Sequence, residues 1–231
     1  MALARYIVCP CFWSSINTSE YALIFSDLHN MNHHTIQTVR FGGQEIITTV
    51  TDMAHVVDEW VDDIRQMHPD EPLIVGLDCE WRPHPIQWMS NKTATLQLCV
   101  RNACLIAQLF YMAQIPETLK GFLSDPNISF VGVGVGKDAE KLRDEYGLQV
   151  TSAVDIEPLA LAHEDWVWYG HRRAGLKHFA LGLCGLHMEK PKSVTKSDWQ
   201  ARVLNERQIE YACIDAYASY KLGCKLLHFP S

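Results

Sequence analysis

The chain has 231 residues, of which 48% are hydrophobic and 20% are charged. These values are typical of a globular protein and exclude disordered, collagen-like and low-complexity classes. With 20 basic and 27 acidic residues, the formal net charge is -7, which excludes a protein that holds nucleic acid by bulk positive charge but leaves a local basic site open.

The N-terminal third predicts a hairpin followed by one amphipathic helix. Residues 1–34 show no clear periodicity, and we interpret them as a leader of unspecified structure. Two β-rich runs at 35–41 and 44–50 flank Gly42-Gly43, a pair typical of a hairpin turn. Apolar residues then recur at helical spacing from Met53 to Met67. We expect this hairpin and helix to form an extension, residues 35–71, ahead of the main domain.

Residues 72–231 predict a mixed α/β domain. Five strand-like runs are present, at 73–79, 95–100, 104–109, 129–133 and 150–155. Five helical segments accompany or follow them, at 115–123, 137–146, 156–163, 174–183 and 205–227. The order of these elements begins with strands linked by a hairpin, continues with a strand–helix–strand unit and ends with helices. This order predicts a five-stranded mixed sheet with helices on its faces.

Cysteine usage indicates the compartment. The eight cysteines include no C-x-x-C pair, and most stand in apolar runs, which favours buried free thiols in a reducing environment over a disulfide scaffold. No apolar run approaches the length of a membrane span. We therefore expect an intracellular protein of the cytoplasm or nucleus that does not enter a membrane.

Positive charge is concentrated in one C-terminal segment. Between residues 172 and 207, three acidic residues accompany eight basic ones, which are Arg172, Arg173, Lys177, Lys190, Lys192, Lys196, Arg202 and Arg207. This concentration indicates a local anion site. A solvated helix face followed by a loop would give the same count.

Acidic residues stand where predicted elements would present them together. Asp78 and Glu80 alternate at the end of an apolar strand and so point to one face, an arrangement that a divalent cation stabilises. A strand end that meets water is the simpler reading. Asp138 lies in a predicted first helical turn, where it could serve a site or favour the helix dipole. Tyr211 and Asp215 lie one helical turn apart on the same face. They could serve one site together, or Tyr211 could be an ordinary buried tyrosine that bonds to a neighbour in its helix.

Two nucleotide-binding motifs are excluded for the glycine-rich segment 130–138. A P-loop needs Ser or Thr after Gly136-Lys137, where this chain has Asp138. The dinucleotide fingerprint fails because Lys137 occupies the position of its third glycine. What remains is a tight turn that begins a helix close to the end of a strand.

The order and spacing of four acidic residues resemble the catalytic motif of the DEDD superfamily of 3′–5′ exonucleases. These residues are Asp78, Glu80, Asp138 and Asp215. Tyr211 stands four residues before Asp215, where the tyrosine subclass of this superfamily has its characteristic tyrosine. The histidine subclass has His one residue earlier, where this chain has Glu210. Other segments resemble ribonuclease D and the Werner-helicase exonuclease domain, namely 75–81, 95–100, 132–135, 175–180, 192–199 and 204–215. The resemblance runs from about Leu73 to Leu227.

The resemblance implies a ribonuclease H-like fold and two-metal hydrolysis with Mg²⁺ or Mn²⁺. It implies that Asp78 bridges both ions, that Glu80 and Asp215 complete one site and that Asp138 holds the other. Tyr211 would orient the attacking water. The products would be nucleoside 5′-monophosphates from the 3′ ends of RNA or DNA. We expect single-stranded ends to be favoured, because a one-nucleotide site must unstack its base.

Four further residues are predicted to contact substrate. Trp81 points away from Glu80 and would either pack in the core or stack on a terminal base. Lys192, Ser193 and Lys196, in the predicted loop before Ser197-Asp198-Trp199, are placed to bind phosphates.

The partners and two alternative functions follow from the same resemblance. The chain is similar to small plant Werner-like exonucleases, which implies a homo-oligomer such as a hexameric ring and RNA-silencing or DNA-repair partners. A catalytically weak nucleic-acid-binding or adaptor protein on this fold would show weak Mg²⁺ affinity and no turnover. An endonuclease on the same fold would release internal fragments.

Overall fold

The computed structural model describes residues 33–68, 72–86, 89–166 and 174–227. The proposed leader, apart from His33 and His34, and the basic pair Arg172-Arg173 therefore lie outside the described residues. The described strands are β1 (His34–Phe41), β2 (Gln44–Thr51), β3 (Leu73–Glu80), β4 (Thr95–Val100), β5 (Ala103–Ala107), β6 (Ile128–Gly132) and β7 (Ala153–Asp155). The described helices are α1 (Ala54–Met67), α2 (Glu117–Leu123), α3 (Val135–Tyr146), α4 (Ile156–Ala162), α5 (Leu176–Cys184), α6 (Lys192–Thr195) and α7 (Glu206–Leu226).

All seven described strands belong to one sheet, in the order β1-β2-β5-β4-β3-β6-β7. β4 is antiparallel to β3 and to β5, whereas β6 and β7 continue parallel to β3. The predicted five-stranded mixed sheet is therefore present. The predicted hairpin continues the same sheet, since β2 pairs in parallel with β5. Gly42 and Gly43 have φ angles of 57° and 75°, as a tight hairpin turn requires.

Alternate side chains of β3 serve two cores, one on each face of the sheet. Val75 and Leu77 pack into a cluster that includes buried residues of α1, α2 and α3. Ile74 belongs to the other cluster, which is built largely from α5 and α7. Gly76 lets α7 lie directly on the sheet, because a Cβ there would lie 2.6 Å from the Tyr220 amide nitrogen.

The segment between α5 and α7 differs from the prediction. Lys192 and Ser193 were expected in a loop, but they lie in the short helix α6, whose first turn is closed by hydrogen bonds from the Val194 and Thr195 amides to the Pro191 carbonyl. A single turn is too short to leave a periodic pattern in the sequence. After this turn, the Gln208 side chain of α7 donates to the Ser197 hydroxyl at 3.0 Å and ties the connection to α7.

The described cysteines are free thiols, and all of them except the half-buried Cys184 are buried. Among the described helices, none has the length and apolar character needed to cross a membrane.

Candidate active site

Three carboxylates from two elements meet at one end of the sheet. Asp78 and Glu80 lie at the end of β3 on the same face, and Asp215 projects from α7 toward them. One carboxylate oxygen from each residue lies within 4.8 Å of the others. The structure thus brings together three of the four predicted metal ligands.

Asp138 approaches this group from α3 but lies outside the set of three. α3 begins just after the end of β6, where Gly134 adopts a left-handed conformation with φ of 73°. The Gly134 amide donates to the Asp155 carboxylate at 3.1 Å, which fixes the turn against β7. Asp138, in the first turn, is buried, and its charge helps to raise the pKa of Asp78.

The carboxylates resist ionisation when no cation is present. Burial, reinforced by the charges of Asp215 and Asp138, raises the pKa of Asp78 well above its usual range. Burial together with the neighbouring Asp78 raises the pKa of Glu80 to about 9, and burial raises that of Asp138 to about 7. Hard oxygen donors that repel one another at this spacing fit a divalent cation such as Mg²⁺ or Mn²⁺.

Tyr211 belongs to the same site. It lies one helical turn before Asp215 on α7, and the charges of Asp215, Glu80 and Asp78 act on its hydroxyl. Burial and the charge of Asp215 raise the pKa of Tyr211, so the phenol remains protonated and can position a water molecule but is a poor base. Its ring packs against the buried Trp199, with ring centroids 5.9 Å apart. The Ser197-Asp198-Trp199 motif therefore supports Tyr211 through this packing.

Lys190 is one of the site residues that sequence reasoning missed. Its ammonium nitrogen lies 2.6 Å from Oδ2 of Asp215 and 5.3 Å from the centroid of the Tyr211 ring. The sequence placed Lys190 in the basic segment but linked it to no carboxylate, because the contact depends on how a connection without regular structure folds back. The concentration of positive charge between residues 172 and 207 was the one feature of the sequence that pointed to this lysine.

Two buried polar residues of β4 were also missed. Gln97 pairs with Asp78 and Thr95 with Glu80 across the antiparallel strands, so they share the face of the carboxylates. The Gln97 amide donates to the Thr95 hydroxyl at 2.6 Å. Strand alternation applied to 95–100 could have identified them.

The four predicted substrate contacts differ in exposure. Trp81 is half-buried and packs against the cluster beneath β3, with the Lys141 ammonium 4.9 Å from its ring centroid. Lys192, Ser193 and Lys196 are exposed on α6 and at its C-terminal end.

An open cavity of about 440 Å³ borders the same region. Its lining includes Tyr211 of α7 together with Pro191 and Val194, at the start and in the middle of α6. Lys192, Ser193 and Lys196 are not among the residues that line it.

Comparison with known proteins identifies relatives of this chain. A family profile for 3′–5′ exonucleases matches residues 46–228. A 3′–5′ exonuclease of Arabidopsis thaliana is 32% identical over 158 residues, which cover 68% of this chain and 53% of that protein. The exonuclease 3′–5′ domain-containing protein 2 of Drosophila melanogaster is 31% identical over 183 residues, covering 79% of this chain and 30% of that protein. The chain thus spans about half the length of these relatives or less.

The fold is also found among solved structures. Ribonuclease D of Escherichia coli matches with a TM-score of 0.60 and 20% identity, over 78% of this chain and 44% of that one. This likeness confirms the predicted ribonuclease H-like α/β fold. The family profile covers most of the chain and confirms the resemblance predicted from the acidic motifs. The chain belongs to the 3′–5′ exonuclease family.

Proposed function

We propose that this chain is a metal-dependent 3′–5′ exonuclease that releases nucleoside 5′-monophosphates from the 3′ ends of nucleic acids. One observation carries the proposal above all. Asp78, Glu80 and Asp215 converge within 4.8 Å, with Tyr211 one helical turn before the last of them, in a chain of the exonuclease family.

Each residue has a role in this proposal. Asp78, Glu80 and Asp215 would hold one divalent cation, and Asp138 with Asp78 would hold a second. When bound, two such cations activate water and stabilise the leaving 3′ oxygen. Tyr211 would hold the attacking water through its protonated hydroxyl, beside Asp215.

The strand would approach along α6. Lys192, Ser193 and Lys196 are exposed and neighbour, in sequence, the cavity-lining residues Pro191 and Val194, and they would bind backbone phosphates, which carry no sequence information. We propose single-stranded RNA or DNA ends as substrates. For Trp81, core packing and the covering Lys141 favour a supporting role over base stacking.

Self-association through the hairpin is a further part of the proposal. Among the described strands, β1 lies at one edge of the sheet, and Ile36 and Ile47 on the hairpin are exposed. A second copy packing here would cover both side chains and the free strand edge. Light scattering at micromolar concentration should give a mass above that of a monomer; a monomer mass would contradict this part of the proposal.

The substrate class can be tested by product analysis. Matched RNA and DNA oligonucleotides, each with a single-stranded or a paired 3′ end, would be incubated with Mg²⁺ or Mn²⁺, and the released mononucleotides would be separated by chromatography. We expect nucleoside 5′-monophosphates, released fastest from single-stranded ends. Strand binding without any released mononucleotide would support the adaptor alternative instead.

A further inference from the structure

Lys190 forms an ion pair inside the group of carboxylates. Its ammonium nitrogen contacts Oδ2 of Asp215 at 2.6 Å, and the Asp215 side chain is almost completely buried. The charges of Asp78 and Glu80 also act on this ammonium. A fixed positive charge therefore stands among the side chains that would bind a divalent cation.

The protein backbone holds Lys190 in this position from both sides. Met188, two residues earlier, is buried in the core formed with α5 and α7. Pro191, the next residue, caps α6, and its ring restricts Lys190 to extended backbone conformations. The ammonium is thus delivered to Asp215 by an anchored segment.

Lys190 and a metal ion would compete for the same carboxylate. Asp215 is one of the three proposed ligands of the first cation, and its Oδ2 already accepts a charge-assisted hydrogen bond from Lys190. A cation at this oxygen would repel an ammonium 2.6 Å away. Metal binding at Asp215 therefore requires the ion pair to open.

The ammonium has space to leave. The Lys190 side chain is 27% exposed, and it lines an open cavity of about 490 Å³ together with residues such as Lys177 and His187. The side chain can therefore turn toward solvent while Met188 and Pro191 keep the backbone in place.

We infer that Lys190 is the resident counter-cation of the metal-free site and that it yields Asp215 to the divalent cation on binding, which lowers metal affinity. The lysine would keep the carboxylates together before the metal arrives. This inference rests on the proposed metal-binding role of Asp78, Glu80 and Asp215.

Calorimetric titration of Mn²⁺ into the EDTA-treated full chain tests the inference without measuring activity. Lys190→Met and Lys190→Gln should each bind the first Mn²⁺ more tightly than the wild type, on the order of tenfold. The melting temperature in EDTA should fall in both variants and recover with Mn²⁺. Lys190→Arg retains the charge and should keep affinity close to that of the wild type.

Lys177→Met is the matched control. Lys177 is an exposed lysine of α5 that lines the same cavity, and the described structure gives it no ion pair with Asp215. Its loss should leave Mn²⁺ affinity unchanged. If Lys190→Met and Lys190→Gln both bind Mn²⁺ with unchanged or weaker affinity, the inference about Lys190 is wrong, but the proposed function still stands. Absence of Mn²⁺ binding by the wild type would overturn both the inference and the proposed function.

Discussion

Gly76 of β3 and Ala216 of α7 lie in direct contact where the helix crosses the sheet. A Cβ on Gly76 would overlap the Ala216 carbonyl and lie 2.6 Å from the Tyr220 amide nitrogen. Asp78 lies two residues beyond Gly76, and Asp215 immediately precedes Ala216. This backbone contact therefore sets the distance between the two carboxylates.

Gly76→Ala should push α7 away from β3 and widen the site. Overpacking of this kind costs about 1–3 kcal/mol, so we expect a lower free energy of unfolding in urea and weaker Mn²⁺ binding. Gly121→Ala, in α2, is the control, because nothing lies within 4 Å of the added Cβ and alanine favours the helix. Equal stability of the two variants would show that the contact does not position α7.

Asp78→Asn and Asp215→Asn should both abolish turnover but should shift stability in opposite directions. Each removes a proposed metal ligand, so we expect a loss of about 1,000-fold or more. Without metal, Asp78→Asn relieves like-charge repulsion, and the melting temperature in EDTA should hold or rise. Asp215→Asn leaves Lys190 without its partner, and the melting temperature should fall.

Calorimetric melting in EDTA, combined with rates on a labelled oligonucleotide, measures both effects. Asp144→Asn, at an exposed position of α3 where the carboxylate pairs with Arg143, should change neither quantity. Near-wild-type rates for either site variant would remove its carboxylate from the proposed site.

Tyr211→Phe should lower kcat with little change in KM or in Mn²⁺ affinity. The change removes the hydroxyl, one helical turn before Asp215, and leaves the packing on Trp199 intact. Loss of one oriented hydrogen bond in the transition state costs about 2–4 kcal/mol, or roughly 30- to 1,000-fold.

Tyr217→Phe is the matched control for this prediction. Tyr217 lies in the same helix but packs edge-on against Phe41, with centroids 6.1 Å apart, and should tolerate the change. Equally small effects in both variants would mean that Tyr211 only packs.

The stability of the metal-free protein should fall as pH rises toward 9. Burial raises the pKa of Glu80 from 4.5 to about 9, so between these values the folded state binds a proton that the unfolded state has lost. The free energy of unfolding from this group therefore decreases with pH across that window. Mn²⁺, which the proposed site would bind through the ionised carboxylate, should weaken the trend.

Urea denaturation from pH 5 to pH 9, in EDTA and in Mn²⁺, measures this dependence. The difference between the wild type and Glu80→Gln isolates the contribution of Glu80, since the amide does not titrate. If that difference is constant across the range in EDTA, burial of Glu80 does not disfavour its ionised form.

Much of the fold and the acidic site could be predicted from local sequence patterns. Strand alternation placed Asp78 and Glu80 on one face, and helical spacing placed Tyr211 beside Asp215. Such patterns report the orientation of a side chain within its own element. They do not report distances between elements, so the position of Asp138 outside the group of three could not be predicted.

The remaining differences between the structure and the sequence-based predictions arise from connecting segments whose residues show no periodic pattern. The pairing of β2 with β5 depends on how the chain returns through α1 and β3, which no local spacing encodes. Lys190 reaches Asp215 from a segment between α5 and α6 that has no regular structure, across 25 residues of sequence. Contacts of this kind follow from tertiary packing, which anchors Met188 and so places the lysine.

A time course on a 5′-labelled single-stranded oligonucleotide tests the proposed 3′–5′ exonuclease activity. With Mg²⁺ or Mn²⁺ present, we expect a ladder of products that shorten one nucleotide at a time from the 3′ end. EDTA or Asp78→Asn should abolish the ladder, and a 3′-phosphate should slow it. Internal fragments at the earliest time points, or a strand that is bound but never shortened, would contradict the proposed 3′–5′ exonuclease activity.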